Sequence, residues 1–351
     1  YLLVFGVSYF AFKNLFKIKI RTNRIKQEYY QLNQKTYTLM FIITIIIAVL
    51  EIMGILRRFG QINSVTALIS YNFLYSLPVY IAYHSTVNLK FRFSNVLFFL
   101  ISLILLLFLR NPLFVKRYLA GPIYLTLFFL IINKKIKLKN YHVFLILIAT
   151  LIIFFSLFSF FNEIESAQVG LFNFILEAIR KLDIHSLLSS LHYDAWSNFM
   201  AAIKYSEIES ITYGRQLIGA ILFFVPRSIW PNKPVGSGHF VAENMLMTRY
   251  SFWFTNISMP FPAEGYINFG ILGIILFAFT LALVSKITDK WYKYNDLRLF
   301  FSLYVCFHMV FMLRGDLMSS LAYLVGNLLA MFYFPLVLNR ITCRREKIEK
   351  P

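Results

Sequence analysis

Cysteine is nearly absent from this chain. Cys306 and Cys343 are the two in 351 residues, too few and too far apart for a metal knuckle or a disulfide framework. Patterns of the H-E-x-x-H, D-x-D or C-x-x-C kind are missing from the segments considered below, so neither a metal nor another cofactor is indicated. Charge is scarce too. Only 15% of residues are charged while 59% are hydrophobic, against roughly 45–50% apolar in a soluble domain, which excludes an ordinary soluble protein. Short alternating segments are lacking, so a β-barrel is excluded as well. No internal repeat or low-complexity tract divides the chain.

What the sequence does have is long apolar runs, such as Leu39 to Leu50, several of which approach the roughly 20 residues that cross a bilayer core. These predict an all-α polytopic integral membrane protein with spans near 1–12, 37–56, 64–87, 93–110, 115–132, 141–161, 260–285, 299–314 and 317–338. Tyr1 is not an initiator methionine and opens an apolar stretch, so the sequence is expected to begin within or after a first span. The formal net charge of +19 does not point to nucleic acid, because the basic residues sit in short loops between spans. With Lys13–Lys35 placed in the cytoplasm, that side collects 22 of the 35 Lys and Arg and 5 of the 16 Asp and Glu, as the positive-inside tendency requires. The organisation that follows is an N-terminal set of spans (1–161), an outer loop (162–258), and C-terminal spans with a basic cytoplasmic tail (259–351).

Amphipathic patterns near 171–191 and 195–209 predict helices on or against the membrane within the outer loop. Gln216 to Val225 is apolar but too short to cross. It reads as a re-entrant or interfacial helix ended by Pro226. Phe223 to Gly238, FFVPRSIWPNKPVGSG, then combines stiffening prolines, Trp230, two cations and a glycine-rich exit.

Outer cations are the ones that topology does not explain: Arg57, Arg58, Arg110, Lys116, Arg117, Arg215, Arg227, Lys233, Arg249 and Arg314. Any single one is accounted for by snorkelling to headgroups. As a set beside a proline-bracketed loop they suggest an anion site, since guanidinium groups make paired bonds to phosphate oxygens. A lipid phosphate or diphosphate is the natural anion there. Glu264 stands at the start of a helix, where the dipole favours a carboxylate; a structural acid and a proton acceptor or hydroxyl orienter are about equally good readings. Arg314-Gly315-Asp316 reads as a tight turn with a local ion pair. His192 and Asp194 precede the re-entrant segment and can reach the same cleft, and His239 follows the glycines.

Three stretches together, Val225-Pro-Arg-Ser-Ile-Trp-Pro-Asn-Lys-Pro234, Pro262-Ala-Glu-Gly-Tyr-Ile-Asn-Phe-Gly270 and Arg314-Gly-Asp316, resemble the bacterial Wzy-type polymerases of O-antigen or oligosaccharide repeat units. The motif-bearing part is roughly the C-terminal 45% of the chain; elsewhere the likeness is one of hydropathy. Arg227 and Gly238 also match a short Arg, ten residues, Gly spacing of such loops, which Arg249 does not repeat. The resemblance implies a GT-C-like helical bundle with a large, partly helical periplasmic loop, in the bacterial inner membrane with its site facing the periplasm. It implies a metal-free glycosyltransferase in which undecaprenyl-diphosphate-linked oligosaccharides serve as donor and acceptor, with membrane lipid and a chain-length-regulating co-polymerase as further partners.

In that reading Glu264 is base or orienter, with Asp194 and Asp316 in reserve. Arg227, Lys233 and Arg249 hold the diphosphate, supported by Arg314 and by Arg215, Trp230 and His239. An O-antigen ligase-type enzyme shares the chemistry and differs in acceptor. A flippase or transporter for lipid-linked sugars would place charges near the bilayer midplane, where this sequence has few.

Overall fold

The computed structural model describes residues 1–15, 34–55, 93–109, 117–135, 145, 194–251, 253–255, 257–294 and 296–348. The expected span at 64–87, that at 141–161 apart from Leu145, the expected helix at 171–191, and Arg57, Arg58, Arg110, Lys116 and His192 lie outside the described residues. Among the described residues there is helix and turn and no strand.

Four helices precede the loop region: α1 (Leu2–Leu15), α2 (Gln34–Ile52), α3 (Phe93–Leu109) and α4 (Arg117–Lys135). Next come α5 (Ala195–Glu209), α6 (Arg215–Ile221) and α7 (Ser237–Val241), the last continuing through a π-helical turn, Ala242–Met247, to Thr248–Tyr250. The C-terminal part holds α8 (Phe261–Tyr292), α9 (Leu297–Met312), α10 (Leu317–Leu328), a π-helical turn Leu329–Tyr333, and α11 (Phe334–Ile348). Two stretches are long and apolar enough to cross a membrane, Phe261–Tyr292 and Leu317–Thr342; shorter apolar helices include Leu2–Phe12, Thr38–Leu50, Phe99–Phe108, Leu119–Leu130 and Leu297–Met312.

Packing follows the apolar faces. One core gathers α2, α3, α4, α9, the π-helical turn Leu329–Tyr333 and the start of α11 around Met40, Leu106, Ile123, Phe300 and Tyr304. Gly121 lets α4 approach α9 closely, since a Cβ there would sit 2.6 Å from the Phe311 ring. Buried polar groups stitch α9 to α10: Asn327 Nδ2 bonds Tyr304 Oη, and the His308 ring pairs with Ser320 O at 2.9 Å. A second core joins α5, α7 and the start of α8 through Ala202, Tyr205, Val241, Met259 and Ile267.

α8 departs from the single span expected at 260–285. Its helical path breaks at Phe269 (φ −142°, ψ 16°) and Gly270 (φ 61°, ψ −140°), the latter in a region that glycine tolerates and other residues avoid. The two halves, 261–268 and 271–292, fold back on each other. In an unbroken helix, residues eight apart lie about 12 Å apart along the axis. Here Gly265 and Gly273 touch, and a Cβ on Gly273 would fall 1.8 Å from Gly265 O. Phe261 and Phe277 meet in the same register, with ring centroids 4.8 Å apart.

The carbonyls freed at the break are used. Thr212 N donates to Ile267 O at 2.8 Å and Gly214 N to Asn268 O at 3.2 Å. Asn268, fully buried, accepts from Leu217 N at 3.0 Å and donates to Glu264 O at 2.8 Å. The sequence reading missed this bend because an apolar run of adequate length gives no sign of folding back. Residues 194–268 thus form a compact cap whose crest is the bend at 269–270.

Candidate functional site

Three helix starts converge beside the folded-back half of α8. Leu317 N opens α10, Ser237 and Gly238 open α7, and Glu264 lies in the first turn of α8. The unpaired N–H groups and partial positive charge of helix N-termini favour carboxylates, and two are present. Glu264, 1% exposed, accepts from Ser237 Oγ at 2.6 Å and from Leu317 N at 2.9 Å. Asp316 caps α10 through Met318 N (3.0 Å) and Ser319 N (3.2 Å), and its other oxygen accepts from Gly238 N at 3.2 Å. Burial pushes the Asp316 carboxyl above the usual carboxylate range, opposed by those backbone N–H groups.

The Gly236-Ser237-Gly238 exit is shaped to this pair. A Cβ on Gly236 would lie 2.4 Å from Asp316 Oδ2, and one on Gly238 would lie 2.1 Å from Ile257 O. The glycines are there for close approach; Gly236 has an ordinary φ of −58°. Ser237, the residue that sequence reasoning passed over, supplies the direct link from loop to Glu264. Its position between two glycines was the available signal.

Lys233 corrects an expectation. It is 6% exposed, and its ammonium donates to Phe223 O at 2.5 Å and Val225 O at 3.0 Å. Burial, and secondarily the Arg227 charge, pushes its pKa down. It is a pin inside the loop and does not reach out for a diphosphate. Arg227 braces the same loop with one arm, Nη1 to Lys233 O at 2.9 Å, while the residue stays exposed. Trp230 is half-buried, its backbone N–H and C=O bonding Pro226 O and Lys233 N.

A third cluster sits at the start of α5. Asp194 Oδ1 accepts from Arg314 Nη2 at 3.0 Å and Ser258 Oγ at 3.1 Å, and Oδ2 from Asn198 Nδ2 at 2.9 Å. The local ion pair expected inside Arg314-Gly315-Asp316 is not formed; Arg314 pairs with Asp194 instead, and Asp316 serves as a cap. Asp194 keeps some exposure, with 19% of its side-chain surface accessible. The Arg314 turn joins this cluster to the Glu264–Asp316 pair, and Gly236–Gly238 joins that pair to the Arg227 loop.

The other expected residues stand apart. Arg249 is half-exposed and paired with Glu209 at 2.5 Å; His239 lies 3.5 Å from Glu243, one turn along. Arg215 is exposed at the start of α6. Among the described residues, Arg215 and Arg227 have no carboxylate partner, and no group of three or more His, Cys, Asp or Glu is arranged to hold a metal. Comparison with known proteins finds no matching family model, curated protein or solved structure.

Proposed function

We propose that this chain is a multi-pass membrane glycosyltransferase that joins lipid-diphosphate-linked oligosaccharide repeat units into a surface polysaccharide at the outer face of the bacterial inner membrane. The observation that carries the reading is the Arg227 loop. It presents an exposed guanidinium without a carboxylate partner among the described residues, on a backbone fixed by Pro226, Pro231, the Lys233 pin and the Gly236–Gly238 contact. A cation held in place before substrate arrives needs no reorganisation when charge develops on a leaving group.

In the reaction, an acceptor sugar hydroxyl attacks the anomeric carbon of the donor. A new glycosidic C–O bond forms, the bond from that carbon to the diphosphate oxygen breaks, and the polyprenyl diphosphate departs with the electron pair. The hydroxyl proton passes to a base. Arg227 holds the departing diphosphate. Asp194 is the carboxylate with open surface for the proton, and Arg314 beside it orients it through their ion pair. Glu264, buried with both oxygens bonded, positions the cap and does not meet substrate. The Wzy-type motifs support the same substrate class.

The test is the glycan profile of a strain lacking this protein, complemented with wild type or Arg227→Ala. Deletion should leave single-repeat caps, and Arg227→Ala should fail to restore long chains while inserting normally. Normal ladders from the variant overturn the role of Arg227. Accumulated lipid-linked polymer in the deletion strain would reassign the protein to ligase-type transfer.

A further inference from the structure

Every third residue from Arg215 to Arg227 is exposed: Arg215, Ile218, Ile221, Phe224 and Arg227. Between them Gln216, Gly219, Ala220 and Phe223 are buried. α6 and the turn that follows it therefore present an apolar ridge outward, with Ile218, Ile221 and Phe224 each about half exposed (50–54%). An isolated apolar residue on a surface needs no explanation, but a continuous ridge does.

Its depth can be read from its neighbours. Gly214 donates to Asn268 O, and a Cβ on it would touch the Phe269 ring at 2.8 Å, so the start of α6 lies at the crest of α8. Six residues on, Ala220 packs in a cluster with Phe261, Phe277, Leu281, Met312 and Leu317. At 1.5 Å per residue, Phe277 lies roughly 10 Å below the crest. α6 thus runs down along the bundle from the bend. The second half of α8 carries no charge from Ile271 to Ser285, about 22 Å of helix against a hydrocarbon core of about 30 Å. The crest accordingly lies at the membrane boundary and does not project beyond it. Ile271, Leu272 and Leu276, just below it, are exposed by 72%, 68% and 54%, as lipid-facing residues are.

We infer that α6 and the turn after it form a re-entrant segment seated in the outer leaflet, the Ile218–Ile221–Phe224 ridge in contact with phospholipid chains and Tyr213 and Arg215 at the headgroup boundary. Tyr213 is 76% exposed beside the crest, where aromatic rings and arginines favour the interface. The occupant of the ridge is bilayer phospholipid. The Arg227 loop is consequently presented from within the leaflet, open to a lipid phosphate that arrives sideways. The inference rests on the membrane-spanning reading of α8, and is independent of the reaction catalysed.

Site-directed spin labelling in phosphatidylcholine–phosphatidylglycerol vesicles tests it, in a Cys306→Ser, Cys343→Ser background. Labels are placed by Tyr213→Cys, Ile221→Cys, Ile275→Cys on α8, and Glu207→Cys on the exposed side of α5. The expected result is oxygen-favoured relaxation at Ile221 and Ile275, nickel-chelate-favoured relaxation at Glu207, and an intermediate value at Tyr213. Ile221 matching Glu207 while Ile275 reads lipid overturns the seating of α6 alone. Ile275 reading water overturns the membrane placement of α8, and this inference with it.

Discussion

Replacing Glu264 in two ways separates a positioning carboxylate from a chemical one. Glu264→Ala removes the acceptor for both Ser237 Oγ and Leu317 N, in a place that is 1% exposed. A buried donor left without a partner costs about 1–3 kcal/mol, so two such losses amount to roughly 2–6 kcal/mol before any gain from relaxation. That is a large part of the roughly 5–15 kcal/mol that holds an ordinary domain together. Glu264→Gln keeps the shape: its amide oxygen accepts from Leu317 N, and its NH2 donates to the Ser237 hydroxyl, which rotates to receive it. The change should cost about 1 kcal/mol, the net worth of one ordinary hydrogen bond. Thermal unfolding in detergent and glycan ladders from complemented cells are the two readouts. The expectation is that Ala lowers the melting temperature strongly and loses polymer, while Gln remains close to wild type in both. A Gln variant that folds like wild type yet has lost about two orders of magnitude or more of transfer, the size of a missing general base, would refute the reasoning.

Lys233→Met strips the pin from Phe223 O and Val225 O at about 1–3 kcal/mol for each carbonyl left dry; limited trypsin digestion should then cut at Arg227 faster than in wild type, and equal rates would count against the pin. Gly238→Ala drives a Cβ to within 2.1 Å of backbone Ile257 O, an overpacking of about 1–3 kcal/mol. It should lower the melting temperature without altering the charge of the site, and an unchanged melting temperature would remove the close-approach argument for this glycine.

The helical character and several element positions were legible in the sequence. The amphipathic stretch 195–209 is α5, and the short apolar run read as re-entrant overlaps α6, although that helix starts one residue earlier and ends at Ile221, short of Pro226. The bend in α8 was not legible. Asn268-Phe269-Gly270 carries its chemical parts, yet the bend depends on Thr212 and Gly214 arriving from 55 residues earlier to use its carbonyls. Of the site, the residue types were readable and their partners were not. Lys233 looked like one cation among several because nothing local states that Phe223 and Val225 turn their carbonyls inward. Arg314 paired across 120 positions with Asp194, a separation that no spacing rule spans.

The bend in α8 also bears on the order in which the protein is assembled. Residues 261–268 leave the ribosome joined to the apolar run that follows them, and by then α5 and α6 have already emerged. The acceptor atoms of Glu264 nevertheless wait for Leu317 N, and the Gly238 amide waits for Asp316. The cap is built from earlier sequence but locked by later sequence. Chains halted before α10 would carry every residue of the Arg227 loop and its Lys233 pin, yet lack the Asp316 contact that fixes its glycine exit, so the setting of that exit reports that synthesis has passed Asp316.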